Sequence, residues 1–550
     1  MSLNIAALLS EQASSQPRHP AVVFVRGRCQ DGGRDHACYA HLTFGELDRR
    51  SDALAWGLQE YGLRPGMKAL LMIRPALDFY ALVFALLKMG VVPVLIDPGM
   101  GWDGFLRCVR QCAPEAFFGI PAAHLLRLVH PRVFKSVRFN VTLGGWRPWG
   151  GRTIPRLLKN GHAGERFPLH EAADADELAA VMFTSGSTGP AKGVCYTQRV
   201  FAAQCAIVKR LCRIRPGEYD LACFPLFSLF SVACGATAVV PEMDATRPAS
   251  VDPSRIAEAI RDWPITYSFG SPALWKHVSE AFVRDGTRLE GLGRIFMSGA
   301  PVPASTHSNL AALMGEGGMS YAPYGCTEAL PIAVLDGHSV INETDAVTRN
   351  GGGVCVGEVI PEVTARIIRI TDEPIPEWDD ALVLPAGSIG ELCVTGECVT
   401  RSYFNRPDAD ELSKIDGADG RRWHRVGDVG YLDKQNRFWF CGRKSHRVES
   451  ESGPLYTIPV EAFYNQLPGV ARSALVGVGE RGHQIPFIIV QLMPGCRLTP
   501  PEILAGCAGR TATAAIRNAL VYPGDFPVDV RHNAKINREK LALWAAEQIV

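Results

Sequence analysis

The chain has 550 residues, of which 47% are hydrophobic and 21% are charged, and its formal net charge at pH 7 is +1. This length predicts several domains, or one large domain with subdomains, around a sizeable core. Basic clusters such as residues 421–425 are short and are balanced by acidic residues elsewhere, which excludes a nucleic-acid-binding protein. The 16 cysteines include no Cys-x-x-Cys pair, so we expect scattered buried thiols in a reducing compartment.

Two segments bear on localisation. Residues 1–18 have no basic start, no long apolar segment and no cleavage signal. Residues 221–240 carry no charge, but Pro225 and Gly235 interrupt them, so we expect a buried core helix or a pocket wall. We therefore predict a cytoplasmic protein without a transmembrane segment.

The first hundred residues alternate between helices and strands. Thr43 and Glu46 form the pattern of a capping box, which predicts the start of an amphipathic helix that ends near Tyr61. The elements that follow are a strand at 69–73, a helix at 79–89 and a strand at 91–96. This alternation predicts largely parallel, doubly wound sheets.

Residues 183–193 read FTSGSTGPAKG and follow an apolar stretch, residues 178–182, that predicts a buried strand. Glycines let backbone N–H groups approach phosphate oxygens, hydroxyls add donors, and Lys192 adds a positive charge. The run is not a Walker A loop, because that motif ends in Gly-Lys-Ser/Thr and opens a helix. We interpret it as a polyphosphate-binding loop.

Two further groups of residues fit a nucleotide. In residues 324–328, YGCTE, the tyrosine can stack on a purine and the Thr-Glu pair can hold Mg²⁺, although a turn with a helix-capping threonine remains the alternative. Residues 298–301, SGAP, end an apolar strand and suit backbone contacts to a base.

The C-terminal part contributes the remaining candidates. Asp428 offers a carboxylate for ribose hydroxyls, and Arg443 follows fifteen residues later. Lys535 lies in a basic loop, where a solvated surface lysine is the alternative. Residues 351–357 mark a change to short, turn-punctuated strands, and the last hundred residues suffice for a small α+β domain. Gly442 and Arg443 are the candidate hinge.

In their order along the chain, these motifs resemble the adenylate-forming superfamily, which includes acyl-CoA synthetases, firefly luciferase and peptide-synthetase adenylation domains. The resemblance covers nearly the whole chain. It implies an α/β fold with a large N-terminal domain (residues 1–441) of two doubly wound sheets plus a small β-barrel-like subdomain. A small mobile α+β lid domain (residues 442–550) follows.

The resemblance also implies the roles of individual residues. ATP phosphates would be held by Thr184, Ser185, Gly186, Ser187, Thr188, Gly189 and Lys192. The base would contact Gly299, Ala300, Pro301, Tyr324 and Gly325, and the ribose would contact Asp428 and Arg443. Thr327 would serve a phosphate, Glu328 and Thr184 would serve Mg²⁺, and Lys535 would stabilise charge during adenylation. The acyl group would contact Phe227, Gly270, Ser271 and Pro272, with packing in the core as the alternative for Phe227.

Where the chain departs from the wider family, it resembles one branch, the OleC-type β-lactone synthetases of long-chain olefin biosynthesis. The matching runs are residues 94–99, 402–407, 439–444, 453–457 and 526–535. Glu449 and Glu451 lie where acyl-CoA synthetases usually have lysines, and carboxylates there would repel the anionic CoA.

This branch implies ATP-dependent adenylation of a 2-alkyl-3-hydroxy fatty acid, followed by attack of its own β-hydroxyl to give a β-lactone. It also implies other enzymes of a long-chain olefin pathway as partners. An acyl-CoA or acyl-carrier-protein ligase is the first alternative. A catalytically inactive nucleotide or acyl sensor is the second, which the presence of Lys192, Glu328, Asp428 and Lys535 disfavours.

Overall fold

The computed structural model describes residues 3–31, 33–144, 147–162, 164–184, 191–528 and 536–548. Two large sheets with helices packed on them form the body of the molecule, and a smaller group of strands and helices follows from residue 444. Within the described ranges, no helix is both long and apolar enough to cross a membrane.

The strands are β1 (Pro20–Asp31), β2 (Arg34–Thr43), β3 (Lys68–Met72), β4 (Val92–Ile96), β5 (Ala116–Gly119), β6 (Phe139–Thr142), β7 (Arg152–Thr153), β8 (Leu178–Thr184), β9 (Lys192–Thr197), β10 (Tyr219–Ala222), β11 (Thr237–Val240), β12 (Tyr267–Gly270), β13 (Arg294–Met297), β14 (Met319–Cys326), β15 (Ala329–Asp336), β16 (Val354–Val359), β17 (Thr364–Ile368), β18 (Gly390–Thr395), β19 (Lys414–Asp416), β20 (Arg422–Leu432), β21 (Arg437–Arg443), β22 (Val448–Ser450), β23 (Gly453–Leu455), β24 (Val470–Val478), β25 (Ile485–Leu492) and β26 (Asn518–Val521).

The α-helices are α1 (Ala6–Ser15), α2 (Phe44–Tyr61), α3 (Leu77–Lys88), α4 (Gly101–Cys112), α5 (Pro121–Val129), α6 (Ile154–Asn160), α7 (Gln198–Leu211), α8 (Ser228–Ala233), α9 (Pro253–Asp262), α10 (Pro272–Asp285), α11 (Ala304–Leu313), α12 (Gly337–Ser339), α13 (Asp345–Arg349), α14 (Pro407–Ser413), α15 (Thr457–Tyr464), α16 (Pro500–Gly506) and α17 (Arg538–Glu547).

The smaller of the two large sheets has seven strands in the order β7-β6-β5-β3-β4-β8-β9. Its pairs are parallel except β8 with β9, which are antiparallel. The β8–β9 pairing places Thr184 opposite Lys192. The two ends of the predicted phosphate loop therefore lie side by side at the edge of the sheet.

The larger sheet follows the path β17-β18-β20-β21-β16-β15-β14-β13-β12-β10-β11-β1-β2. The stretch from β14 to β1 is parallel and bears helices, as a doubly wound sheet requires. The stretch from β14 to β17 is antiparallel and begins with the β14–β15 pair, before the glycine-rich residues 351–357. The change of strand type therefore lies earlier in the chain than predicted.

A hydrophobic core joins the two large sheets. Residues of α1, α2, α3, α7 and α8 contribute to it. Inside it, the Lys88 ammonium lies 2.7 Å from an Asp48 carboxylate oxygen and 2.5 Å from one of Asp52. A lysine this deeply buried requires such partners, because an unpaired charge in the core would be costly.

The C-terminal residues form separate cores of their own. Strands β24, β25 and β26 make a small mixed sheet, and α15, α16 and α17 pack against it. Strand β21 ends at Arg443, so the chain leaves the large sheet at the position that the sequence analysis proposed as a hinge.

The local predictions agree with this structure in most places. Helix α2 begins after Thr43, whose side chain and Glu46 form the predicted capping box. The strands predicted at 69–73 and 91–96 are β3 and β4, and the helix predicted at 79–89 is α3. Residues 221–240, expected to be one buried helix or a pocket wall, comprise β10, the short helix α8 and β11.

The expectation that the cysteines are free thiols was wrong for one pair. Cys29 and Cys38 form a disulfide across the β1–β2 hairpin, with Cα atoms 5.7 Å apart. Their nine-residue separation gives no metal or redox motif, and only the hairpin register brings them together. The other fourteen cysteines are free, and most are buried.

Candidate active site

The candidate residues lie where strands of the two large sheets end. Strand β8 ends at Thr184, β12 at Gly270, β13 at Met297 and β14 at Cys326. Ligands of doubly wound sheets bind outside the carboxyl ends of the strands, so this arrangement favours one site at that edge.

Tyr324, Asp428 and Arg443 form one cluster of this site. Asp428 of β20 is paired directly with Arg443 of β21 across the sheet, and an Arg443 nitrogen lies 2.9 Å from Asp428 Oδ1. The Tyr324 hydroxyl donates to Asp428 Oδ2 at 2.5 Å. The charge of Asp428 raises the pKa of Arg443, so the guanidinium is held in its charged form. The three residues that the resemblance assigned to adenine and ribose are therefore brought together.

Lys192, Tyr403 and Glu328 form the second cluster. The Tyr403 hydroxyl donates to Glu328 Oε1 at 2.6 Å, and the Lys192 ammonium lies 4.9 Å from the centre of the Tyr403 ring. An isolated bridge between Val194 and Tyr403 fixes this segment against β9. Tyr403 thus joins the lysine of the phosphate loop to the carboxylate predicted to hold Mg²⁺.

Electrostatics keep Glu328 ionised. Burial alone would raise the pKa of its carboxyl, but His424, the hydrogen bond from Tyr403 and the charge of Lys414 together hold that pKa below its usual value. Burial lowers the pKa of Lys192, and the nearby Glu328 charge partly opposes this effect.

Sequence reasoning missed three supporting residues, Tyr403, Lys414 and His424, which are 5%, 4% and 2% exposed. The Lys414 ammonium lies 5.4 Å from the Tyr403 ring centre and donates to the Thr400 carbonyl at 2.5 Å. Burial lowers the pKa of Lys414 to about 8. The only sequence signal for any of them is that Tyr403 lies in the matching run 402–407.

Solvent exposure separates the residues predicted to contact ligands from the three supporting residues. Lys192, Tyr324 and Glu328 keep partial exposure, whereas Tyr403, Lys414 and His424 behind them are buried. Side chains that meet a ligand must reach solvent in the free protein. The supporting residues need not, so the arrangement indicates a cleft lined by the first set.

The predicted base-binding loop lies beside this cleft. Gly299, Ala300 and Pro301 follow β13, and the preceding Ser298 donates its hydroxyl hydrogen to the Pro323 carbonyl at 2.9 Å. Gly299 has a φ of +104°, which a glycine adopts without strain.

The turn after Tyr324 is also close-packed. A Cβ added to Gly325 would lie 2.6 Å from the Ala329 carbonyl oxygen, so no side chain fits there. The Thr327 carbonyl accepts a hydrogen bond from Tyr196 at 2.7 Å, which fixes the backbone just before Glu328.

The predicted acyl-site residues lie at the end of β12 and near α8. Gly270 ends the strand, Ser271 caps α10 by accepting from the Leu274 amide, and Pro272 begins that helix. Phe227 is buried and stacks on Phe269, with ring centres 3.7 Å apart. Phe227 therefore packs in the core and can contribute at most the back wall of a pocket.

Several predicted residues lie outside the described part of the chain. These are Ser185, Gly186, Ser187, Thr188 and Gly189 of the phosphate loop, and Lys535. Thr184 ends β8, and only its backbone is described.

The structure changes one argument about CoA. Glu449 is not a free carboxylate, because Arg447 and Arg481 lie 2.8 Å and 3.0 Å from its two oxygens. Both arginines, which also contact Asp372, offset its charge and so weaken the expected repulsion of CoA, which stays a prediction. Glu451 has an 84% exposed side chain, where water screens its charge strongly.

Comparisons with known proteins find relatives over essentially the whole chain. The model of the family described as AMP-binding enzymes matches residues 9–404. The olefin beta-lactone synthetase of Stenotrophomonas maltophilia is 44% identical over 99% of this chain and 98% of its own length. The protein of the same name from Xanthomonas campestris is 43% identical over 100% of the chain and 98% of its own length.

The fold is also that of solved structures. ATP-bound MatB from Rhodopseudomonas palustris superposes with a TM-score of 0.77 over all of both chains, at 18% sequence identity. This likeness confirms the predicted fold class: an adenylate-forming α/β fold with a large N-terminal domain and a C-terminal domain.

Proposed function

We propose that this chain, which belongs to the AMP-binding enzyme family, is a β-lactone synthetase that activates a 2-alkyl-3-hydroxy fatty acid with ATP. The observation that carries the proposal is the 44% identity to an olefin beta-lactone synthetase over essentially the full length of both chains. The clusters around Asp428 and Glu328 would supply the charged groups that adenylation needs.

Adenylation joins two anions, so the site must offset charge and align the reacting groups. The substrate carboxylate attacks the α-phosphorus of ATP, and pyrophosphate leaves. Lys192 would bind phosphate oxygens, and the Asp428–Arg443 pair would hold the ribose. Tyr324 would lie against adenine, and Lys535 would stabilise negative charge in the transition state.

Glu328 fits Mg²⁺. Its carboxylate is ionised and partly exposed, and Tyr403 donates a hydrogen bond to its Oε1 oxygen. Mg²⁺ prefers oxygen ligands and is usually bound by one or two carboxylates together with substrate phosphates. When bound with ATP, the ion would neutralise charge on the phosphates; Thr184 is the second proposed ligand.

Lactone formation needs no second substrate. The β-hydroxyl oxygen of the acyl-adenylate attacks the acyl carbonyl carbon, loses its proton, and displaces AMP as the acyl–phosphate bond breaks. Attack within one molecule gains a high effective concentration, which helps to offset the strain of a four-membered ring.

The lid, the compartment and the partners belong to the same proposal. We assign residues 442–550 to a lid that moves about Gly442 and Arg443 and brings Lys535 to the cleft. We place the enzyme in the cytoplasm, where ATP is supplied, alongside other enzymes of a long-chain olefin pathway.

Mass spectrometry of the products tests the proposal. The enzyme is incubated with ATP, Mg²⁺ and a 2-alkyl-3-hydroxy fatty acid, with and without CoA. We expect AMP and a β-lactone at a rate that CoA does not change. The matched acid without the hydroxyl should stop as bound acyl-adenylate. Efficient CoA-thioester formation from either acid would instead identify an acyl-CoA ligase, and absence of AMP would contradict the proposal.

A further inference from the structure

Three side chains of the types that zinc prefers meet beside the cleft. They are Cys326 at the end of β14, Glu328 in the following turn, and His424 on β20. The thiol sulfur, a carboxylate oxygen and an imidazole nitrogen all lie within 4.8 Å of one another. Ligands of one tetrahedral Zn²⁺ lie about 3.5 Å apart, so a closure of about 1 Å would let all three bind one ion.

Two of the three ligands are already oriented by outer hydrogen bonds. The His424 Nδ1 atom lies 3.2 Å from the Ser413 carbonyl oxygen, so it carries the proton and leaves the Nε2 lone pair for a metal. Metal-binding histidines usually donate their other N–H group to a carbonyl or carboxylate in this way. Glu328 receives the Tyr403 hydroxyl on Oε1, so its other oxygen can turn to an ion.

Charge sets the strength of this site. When a metal binds, Cys326 would release its thiol proton to solvent. The resulting thiolate and the Glu328 carboxylate would together balance the charge of a divalent cation. The ammonium groups of Lys192 and Lys414 flank Tyr403 and oppose a further positive charge. Binding should therefore be weaker than at a structural zinc centre with four protein ligands, and reversible.

We propose that Cys326, Glu328 and His424 form a Zn²⁺ site, and that zinc bound there inhibits adenylation by occupying the carboxylate that otherwise serves Mg²⁺. Thiolate and imidazole select zinc over magnesium, because Mg²⁺ favours oxygen ligands. The inhibition rests on the proposed function, whereas the metal site itself does not.

Cobalt absorption tests the site without ATP or fatty acid. The full chain, freed of metals, is titrated with Co²⁺, which reports a thiolate ligand through a charge-transfer band. We expect this band in the wild type and its loss in Cys326→Ser. His424→Gln should weaken binding by about tenfold or more. Zn²⁺ should displace the cobalt.

Two controls separate this site from other thiols. Cys496→Ser removes the exposed free cysteine. Cys29→Ser/Cys38→Ser removes the hairpin cysteines, which lie near His36 in a second group of metal-ligand types. Both variants should keep the band. A band that persists in both Cys326→Ser and His424→Gln, or that disappears in a control, would overturn the proposal.

Zinc inhibition of pyrophosphate release tests the consequence. Each variant is compared with its own rate in the absence of zinc, at constant Mg²⁺. We expect the half-inhibitory Zn²⁺ concentration to rise about tenfold or more in Cys326→Ser and in His424→Gln. If a variant loses metal binding but zinc still inhibits it as before, the link to adenylation is refuted. The proposal of the metal site itself would then still stand. If the wild type releases no pyrophosphate, the proposed function fails, and the cobalt band still decides the site.

Discussion

Tyr403 is the residue on which the phosphate end of the cleft depends. Its hydroxyl holds Glu328, while the ammonium groups of Lys192 and Lys414 lie close to its ring. Cation–π contacts of this kind are worth roughly 0.5–2 kcal/mol each, and more when they are shielded from water. One aromatic side chain therefore sets the positions of a phosphate-binding lysine and of the proposed Mg²⁺ ligand.

Tyr403→Phe should raise the Mg²⁺ concentration needed for half-maximal pyrophosphate release. The ring and its cation contacts remain, but Glu328 loses a hydrogen bond to a charged group, worth about 1.5–3 kcal/mol. We expect a shift of about tenfold or more in the Mg²⁺ titration. Tyr431→Phe is the matched control, because that hydroxyl donates to the Gly352 carbonyl. A titration curve identical to the wild type would show that Tyr403 does not position the carboxylate.

The buried carboxyl of Asp220 should make the free energy of unfolding depend on pH. Burial raises its pKa from 3.8 to about 7, although Ser231 donates a hydrogen bond to it at 2.7 Å. The folded state therefore holds this proton more tightly than the unfolded chain does. The contribution to stability is complete below about pH 4 and is lost as pH rises toward 7. The linked change is of the order of 4 kcal/mol.

Asp220→Asn should remove this dependence. The stability of the variant relative to the wild type should increase between pH 4 and pH 7, as measured by urea unfolding at a series of pH values. Asp244→Asn is the control, because the pKa of Asp244 is lowered by its hydrogen bonds to Thr246 and contributes no change in that range. Parallel pH profiles for the wild type and Asp220→Asn would show that Asp220 does not carry the effect.

At the level of elements, local signals and long-range contacts differ in how well the sequence predicts them. The capping box of α2 depends on residues three positions apart, so the pattern alone located its first turn. The contact between Glu328 and Tyr403 joins residues 75 positions apart, and no local pattern encodes it. Phe227 shows the same limit, since only the packed structure reveals its stacking on Phe269.

Two capping boxes in the described part of the chain give a paired test of its elements. Thr43 and Glu46 begin α2 in the large body, and Thr499 and Glu502 begin α16 in the C-terminal part. Substitution of either threonine by alanine should cost about 1 kcal/mol. Hydrogen exchange should increase over residues 44–61 in Thr43→Ala and over residues 500–506 in Thr499→Ala. In each variant, exchange in the other helix should stay as in the wild type. Increased exchange in both helices in either variant would show that the two parts open together.

At the scale of the whole molecule, charged contacts tie the C-terminal part to the antiparallel end of the large sheet. Asp372, which follows β17, lies 2.7 Å from an Arg447 nitrogen and 3.1 Å from one of Arg481. Lys444, the first residue after β21, lies 3.0 Å from the buried Glu391 carboxylate. The contact between Asp372 and Arg481 is about half exposed on both sides, whereas Arg447 is buried. Exposed ion pairs contribute only about 0–1 kcal/mol, so the Arg481 contact can break and reform if a lid moves.

Ligand-dependent hydrogen exchange tests this motion. If the chain turns at Gly442 and Arg443, exchange over 444–455 should change when ATP and a 3-hydroxy fatty acid are added together. Asp372→Asn should raise exchange there in the free enzyme by up to about fivefold, because it weakens the contacts to two arginines. Asp345→Asn is the matched control, since its partner Arg349 lies on the same helix. If neither ligands nor Asp372→Asn alter exchange over 444–455, the hinge does not lie at these residues.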